Sequence, residues 1–262
     1  MDQRNQHRTP LFRFIDPRIF EFAPGELLKA GPLIAIALLL AACTPRTPQS
    51  LRVAAASDLN FALDEIAKQY SGKLAISYGS SGNFFTQIRN GAPFDVFLSA
   101  DIDYARKLAA QPTAVFLYAM GRIVVWVPDS SPLDPATALR SPALKHLAIA
   151  NPRHAPYGRA AEAALRSMGL YDALQPKLVL GENIAQTLQF VESGAAEAGI
   201  VALSLAQRKG RFHEIPLPDY PPLEQGGVIL KDSDAAREFR DYLLSGPGRA
   251  ILKQYGFSVP AG

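Results

Sequence analysis

Three short stretches bring small and hydroxyl-bearing residues to points where a strand should give way to a helix. They are Ala54-Ala-Ala-Ser57-Asp58, Ser77-Tyr-Gly-Ser80-Ser81-Gly82 and Asn151-Pro-Arg-His-Ala-Pro-Tyr157-Gly158. A helix N-terminus offers unpaired backbone N–H groups and a partial positive charge, so it holds an anion without a formal cation. Small residues such as Ala56 and Gly82 let a ligand come close to the main chain. A hydroxyl there turns either to its own helix or to a ligand oxygen, and at any single junction the capping role is the commoner one. Several such junctions at the C-terminal ends of parallel strands would face one crevice, the usual ligand position in sheets of that kind.

Other reactive side chains carry weaker signals. Asp95, Asp101 and Asp103 suit strand ends and helix caps better than a metal, and His146, His154 and His213 are scattered with no two at ligand spacing. Gly79-Ser-Ser-Gly82 departs from the Gly-x-Ser-x-Gly pattern of nucleophilic serines, and no base partner can be assigned to it. No Gly-x4-Gly-Lys-[Ser/Thr] loop is present, so nothing points to nucleotide binding. Trp126, in an apolar run, is expected in the core.

The elements that would position these junctions alternate along the chain. Strands are expected at 51–55, 74–78, 94–99, 123–127, 147–150, 177–180, 198–201 and 226–230. Helices are expected at 59–70, 83–90, 102–109, 158–168, 184–193, 234–244 and 248–255. Strands separated by helices of about ten residues favour parallel pairing with right-handed crossovers, hence an α/β architecture. Two such series with a C-terminal return suggest two lobes, 51–123 with 225–262 and 124–224, joined by two crossings near Val124 and Val228.

Composition agrees with a globular α/β protein. The 262 residues are 48% hydrophobic and 19% charged, which excludes disorder and a multi-span membrane protein. The formal charge is +3 with no block of like charge, so a nucleic-acid partner has no support. The one long apolar run, Gly31 to Ala42, is too short to span a bilayer and has the length of a signal-peptide core. It ends in Leu40-Ala41-Ala42-Cys43, which resembles the lipobox of bacterial lipoproteins; Cys43 is the only cysteine. The reading is therefore a lipoprotein-type signal at 1–42, a Pro/Thr-rich linker at 43–50 and acylation of Cys43, against a plain secretory signal cut nearby. Acids at Asp2, Asp16, Glu21 and Glu26 are unusual before a signal core and suggest translation from a later start.

With these pieces in order, a resemblance becomes specific. Val53-Ala-Ala-Ala-Ser57, Tyr78-Gly-Ser-Ser81 and Gly91-Ala-Pro-Phe-Asp95-Val-Phe-Leu-Ser99-Ala100-Asp101 resemble the periplasmic molybdate-binding proteins of ABC transporters. So do the Asn151–Gly158 stretch, Gly181-Glu-Asn-Ile184, Gly199-Ile-Val-Ala202 and Tyr255-Gly-Phe257, and the similarity covers Leu51 to Val259. The resemblance implies a two-lobed periplasmic binding protein of type II, a Venus flytrap that closes on one tetrahedral oxyanion. It implies ligand donors at Ser57 and Ser81 (hydroxyl and backbone) and at Tyr157 and Ile184 (backbone N–H only). Family members carry a tyrosine directly after Gly-Ile-Val whose hydroxyl reaches the ligand, where this chain has Ala202. The Tyr157 hydroxyl, Asn60 and Asn183 are candidates to supply the missing donor. Asp58 is unexpected beside a dianion, and its carboxylate is expected to turn outward to helix N–H groups.

Neutral donors fixed by the fold set a cavity of definite size, whereas an Arg or Lys clamp would take any dianion. Size then separates molybdate and tungstate from the smaller sulfate. Phosphate keeps a proton near neutral pH and wants an acceptor, so an inward Asp58 would favour it. The resulting expectation is an extracytoplasmic solute-binding protein, not an enzyme, that captures molybdate or tungstate and delivers it to a permease and its ATPase. It is expected to be monomeric, to need no cofactor, to hold the metal only as the oxyanion without direct cation ligands, and to touch the membrane only through the Cys43 lipid. The alternatives are a binding protein for sulfate, phosphate or a small organic anion, and an exported serine hydrolase.

Overall fold

The structure, a computed structural model, describes residues 50–111 and 114–260. The expected signal and Cys43 lie outside them. The chain forms two five-stranded mixed sheets, each wrapped by helices. The first sheet contains β1 (Leu51–Ala56), β2 (Leu74–Gly79), β3 (Val96–Ser99), β4 (Val115–Gly121) and β10 (Leu223–Ile229), in the order β2-β1-β3-β10-β4. The second contains β5 (Ile123–Val127), β6 (Leu147–Ala150), β7 (Leu178–Gly181), β8 (Ala198–Ala202) and β9 (Arg211–Glu214), in the order β7-β6-β8-β5-β9.

The two sheets share one plan. β1 pairs in parallel with β2 and β3, as β6 does with β7 and β8. Helices of about ten residues provide those crossovers, as the spacing predicts. The other half of each sheet is antiparallel: β10 runs against β3 and β4, and β5 against β8 and β9. All-parallel pairing is thus corrected. The chain leaves the first sheet at Arg122 and returns through residues 215–222, so the strands beside each passage enter in the reverse sense. Val124 and Val228 sit inside β5 and β10, not in the connections. β4 and the exposed β9 carry no strong alternation and are not evident in the sequence.

Helices follow most of the strands. In the first lobe they are α1 (Asn60–Gln69), α2 (Ser81–Arg89) and α3 (Ile102–Leu108). In the second they are α4 (Pro156–Ser167), α5 (Tyr171–Leu174), α6 (Ile184–Glu192) and α7 (Leu203–Ala206). α8 (Asp234–Leu244) and α9 (Gly246–Gln254) return to the first lobe.

Burial explains the placement. α1 buries Ala62, Leu63 and Ile66, spaced to fall on one face, against Val53 and Ala55 of β1 and Phe239 and Leu243 of α8. The alternate residues Ala54, Phe97 and Val228 pack on the opposite face with Phe84 of α2 and Ala105 of α3. Both faces of the central strands are therefore covered, which is why Val53–Ala56 and Leu147–Ala150 read as unbroken apolar runs. In the second lobe Ala160, Ala161, Ala164 and Leu165 of α4 pack on the sheet with Trp126, whose indole N–H donates to the Lys209 carbonyl at 2.7 Å. Fully burying side chains of this size stabilises by about 1.5–3 kcal/mol each. That rigidity holds the strand ends, where the chemistry lies, in fixed positions.

Candidate functional site

Each of the three sequence junctions lies at the C-terminal end of a parallel strand. β1 runs into a single 3-10 turn, Ser57–Leu59, before α1; β2 runs into α2; β6 leads to α4. A fourth junction, β7 to α6, adds Asn183 and Ile184. The four meet between the lobes around a small cavity of about 10 Å³, the size of a single water. Its walls include Ser57, Asp58, Ser80, Ser81, Tyr157 and Ile184, so four of the five expected ligand residues converge there from both lobes. Ala202 does not line it. It ends β8, fully buried, paired with Ile123.

The donors are oriented by their neighbours. The Ser81 hydroxyl accepts from the Ala100 N–H at 3.0 Å, which leaves its own proton to be given elsewhere. The Ser57 hydroxyl donates to Asn183 Oδ1 across the cleft at 3.1 Å. Asn183 Oδ1 also accepts from the N–H groups of Ala185 and Gln186, capping α6. Ile184 at the first position of α6 and Tyr157 at the second of α4 have no carbonyl one turn behind them, so their N–H groups are free by position. Lobe II thus offers main chain where lobe I offers hydroxyls.

Asp58 departs from expectation. It does not turn outward; it is buried in the cleft, where its Oδ2 accepts from the Tyr157 hydroxyl at 2.8 Å and from Gln225 Nε2 at 2.5 Å. Gln225 Nε2 also donates to the Tyr157 oxygen at 2.9 Å. Asp58 Oδ1 and Gln225 Oε1 are buried without a partner. Removal from water pushes the Asp58 carboxyl up to about 6, against the opposing bonds from Gln225 and Tyr157. The Tyr157 phenol is held far above its usual value by burial and by the Asp58 charge. Gly121 makes room for this cluster: a Cβ there would lie 2.3 Å from the Tyr157 oxygen. Gln225 is distant in sequence from the junctions, on β10, and sequence reasoning missed it.

Of the three candidates for the missing tyrosine donor, the Tyr157 hydroxyl donates to Asp58, while Asn183 and Asn60 accept main-chain N–H groups through Oδ1.

Further contacts hold the lobes shut. Gly82 N–H donates to the His154 carbonyl at 2.9 Å, and a Cβ on Gly82 would meet that oxygen at 2.6 Å. The Ser204 hydroxyl donates to the Asp58 carbonyl at 2.8 Å. Ser80 Oγ lies 3.0 Å from His154 Nδ1, and His154 Nε2 lies 3.4 Å from Glu182. The base partner not assignable from sequence thus stands beside Ser80, not Ser81. The Ser80 oxygen also accepts from Asn83 N–H as the cap of α2.

A larger groove of about 400 Å³ adjoins the cavity at Ala100 and Pro156. Its charges neutralise one another: Arg159 pairs with Asp101 at 2.5 Å and Arg106 with Asp103 at 2.9 Å. The small cavity has neutral donors and one buried carboxyl; the groove has paired surface ions. Asp95, the remaining acid of the sequence cluster, pairs with Arg52 at 2.9 Å.

Comparison with known proteins gives a consistent picture. The family described as bacterial extracellular solute-binding protein matches residues 51–258. The molybdate-binding protein ModA of Azotobacter vinelandii is 38% identical over 244 residues, covering 87% of this chain and 96% of its own. ModA of Rhodobacter capsulatus is 35% identical over 245 residues, covering 88% and 97%. A solved structure, the Azotobacter vinelandii periplasmic molybdate-binding protein, superposes with a TM-score of 0.75 at 33% identity, covering 81% of this chain and all of that one.

Proposed function

Since the chain belongs to the ModA-type family of bacterial extracellular solute-binding proteins, we propose that it captures molybdate or tungstate outside the cytoplasm. The observation that carries this reading is the convergence of Ser57, Ser81, Tyr157 and Ile184 on one small cavity with no Lys or Arg among its described lining residues. Hydroxyl and main-chain donors from two lobes can surround a tetrahedral oxyanion, and each hydrogen bond to such a charge contributes about 1.5–3 kcal/mol. Entry requires the lobes to part, and the two connections at Arg122 and 215–222 are where the chain can bend.

The captured anion is passed to a membrane permease energised by a separate ATPase, since this chain has no phosphate-binding loop. Anchoring through Cys43 and action as a monomer complete the proposal. No cofactor is needed, because the site does its work by hydrogen bonding alone. Hydrolysis is not proposed: the Ser80–His154 contact exists between shut lobes, and the Ser80 oxygen is committed to capping α2.

One observation favours a second ligand. Asp58 in the cleft supplies an acceptor, which hydrogen phosphate would use and fully deprotonated molybdate would not. Thermal melting against molybdate, tungstate, sulfate and phosphate separates the two. Ligand bound only by the folded protein stabilises by roughly 4 kcal/mol at a thousandfold excess over Kd. A large rise with molybdate and tungstate, and little with sulfate or phosphate, is the expected result; a rise with phosphate alone would reassign the ligand.

A further inference from the structure

We propose that Asp58 enters ligand capture as a carboxylic acid that donates from Oδ1 to an oxygen of the bound oxyanion, so that the cleft takes up one proton with each dianion. The inference rests on the oxyanion reading given above. Asp58 stands in the cavity wall beside Ser57, Ser81, Tyr157 and Ile184, the groups expected to hold the anion. Its two oxygens differ. Oδ2 is committed to two donors, the Tyr157 hydroxyl and Gln225 Nε2, while Oδ1 is buried with no partner among the described residues.

A carboxylate with a bare, buried oxygen next to a dianion would set like charges together away from bulk water, and two such groups do not both stay ionised. A proton on Oδ1 resolves both difficulties. The unpartnered acceptor becomes a donor, the local charge falls by one, and Oδ2 as a carbonyl oxygen keeps the bonds it already accepts. The site then gains the donor lost where family members have a tyrosine and this chain has Ala202.

The surroundings supply no other charge to do this. The ionisable groups facing Asp58 are the phenols of Tyr157 on α4 and Tyr118 on β4, both raised far above their usual value by burial and both protonated at neutrality. Gln225 on β10 is neutral, and Ser204 on α7 meets only the Asp58 main chain. His154 stands against Ser80, a residue of the cavity wall. Burial places Asp58 at about 6 before any anion arrives, so near neutrality most of the proton must come from solvent on binding. Hydrogen phosphate would instead bring its own proton and give it to the carboxylate.

Titration calorimetry of the full chain with sodium molybdate, in buffers of different ionisation enthalpy, counts the protons. The expected result at pH 8 is close to one proton taken up per anion, with affinity falling about tenfold per pH unit between pH 7 and 8.5. Asp58→Asn keeps a donor in place and should bind with no proton uptake and a flat pH profile, whereas His154→Gln should keep the uptake. Wild-type binding of molybdate with no proton uptake overturns the proposal, and so does uptake that survives in Asp58→Asn and vanishes in His154→Gln. Phosphate binding without uptake, in place of molybdate, also overturns it. Failure of molybdate, tungstate, sulfate and phosphate alike to bind at pH 6 would instead overturn the oxyanion reading itself. Should Asp58→Asn not fold, the proton counts of wild type and His154→Gln decide: uptake retained in His154→Gln supports the proposal, and uptake lost there overturns it.

Discussion

The two lobes are built on the same strand order yet contribute different chemistry to the cleft. The first lobe offers side chains, the hydroxyls of Ser57 and Ser81 and the carboxyl of Asp58. The second offers the main chain at Tyr157 and Ile184, with Asn183 fixing the start of α6. Side-chain donors depend on residue identity, whereas backbone donors depend on the helix being where it is. The first lobe should therefore be sensitive to substitution at the ligand, and the second tolerant so long as its helix ends are kept.

The contrast can be broken most severely at the seam between the lobes. Gly82→Ala puts a Cβ 2.6 Å from the His154 carbonyl, an atom of the opposing lobe's main chain. Neither lobe's core is touched, so the fold should survive while closure costs about 3 kcal/mol, the upper end for overpacking because the clash is with main chain, read as weaker molybdate binding by calorimetry. Next come the hydroxyls: Ser57→Ala and Ser81→Ala should each lose about 1.5–3 kcal/mol of affinity. Ile184→Val, in the second lobe, should lose little affinity because its N–H remains. Equal losses in both lobes would erase the proposed division of labour.

Asp58→Asn sharpens the comparison from the side of stability. The folded protein holds this carboxyl at about 6, above its ordinary value of 3.8. A raised acid favours folding when protonated. Its stabilising contribution is therefore full below the unfolded value and is lost as pH rises through the interval from 3.8 to 6. Ligand-free Asp58→Asn should accordingly melt higher than wild type above pH 7, by an amount that shrinks as pH falls from 6 towards 4. The smallest effect belongs to the Arg159–Asp101 pair across the cleft mouth, which is partly exposed. Arg159→Gln should change affinity by less than about 1 kcal/mol, and less again in high salt.

The sequence reveals those parts of the molecule that follow from local rules. Strand-to-helix junctions announce themselves through small residues and caps, and the helices over 60–69 and 234–244 through their apolar spacing. The serines of the first lobe and the start of α4 are legible for the same reason, whereas Ile184 follows only from the family resemblance. What escaped depends on distant partners. β4 and β9 become strands by pairing with β10 and β5 rather than by their own pattern. Asp58 looks like a cap beside Ser57, but it is drawn inward by Tyr157 and Gln225, 99 and 167 residues along the chain. Ala202, read as the place of a vacated donor, ends β8 against β5 and is not among the residues lining the cavity.

The most direct test is a crystal structure of the protein with sodium molybdate, the metal located by its anomalous scattering. The account predicts a single molybdate between the hydroxyls of Ser57 and Ser81 and the N–H groups of Tyr157 and Ile184, with Asp58 Oδ1 at hydrogen-bond distance. A metal peak in the neighbouring groove against Arg106 or Arg159, with the cleft unchanged, would contradict it.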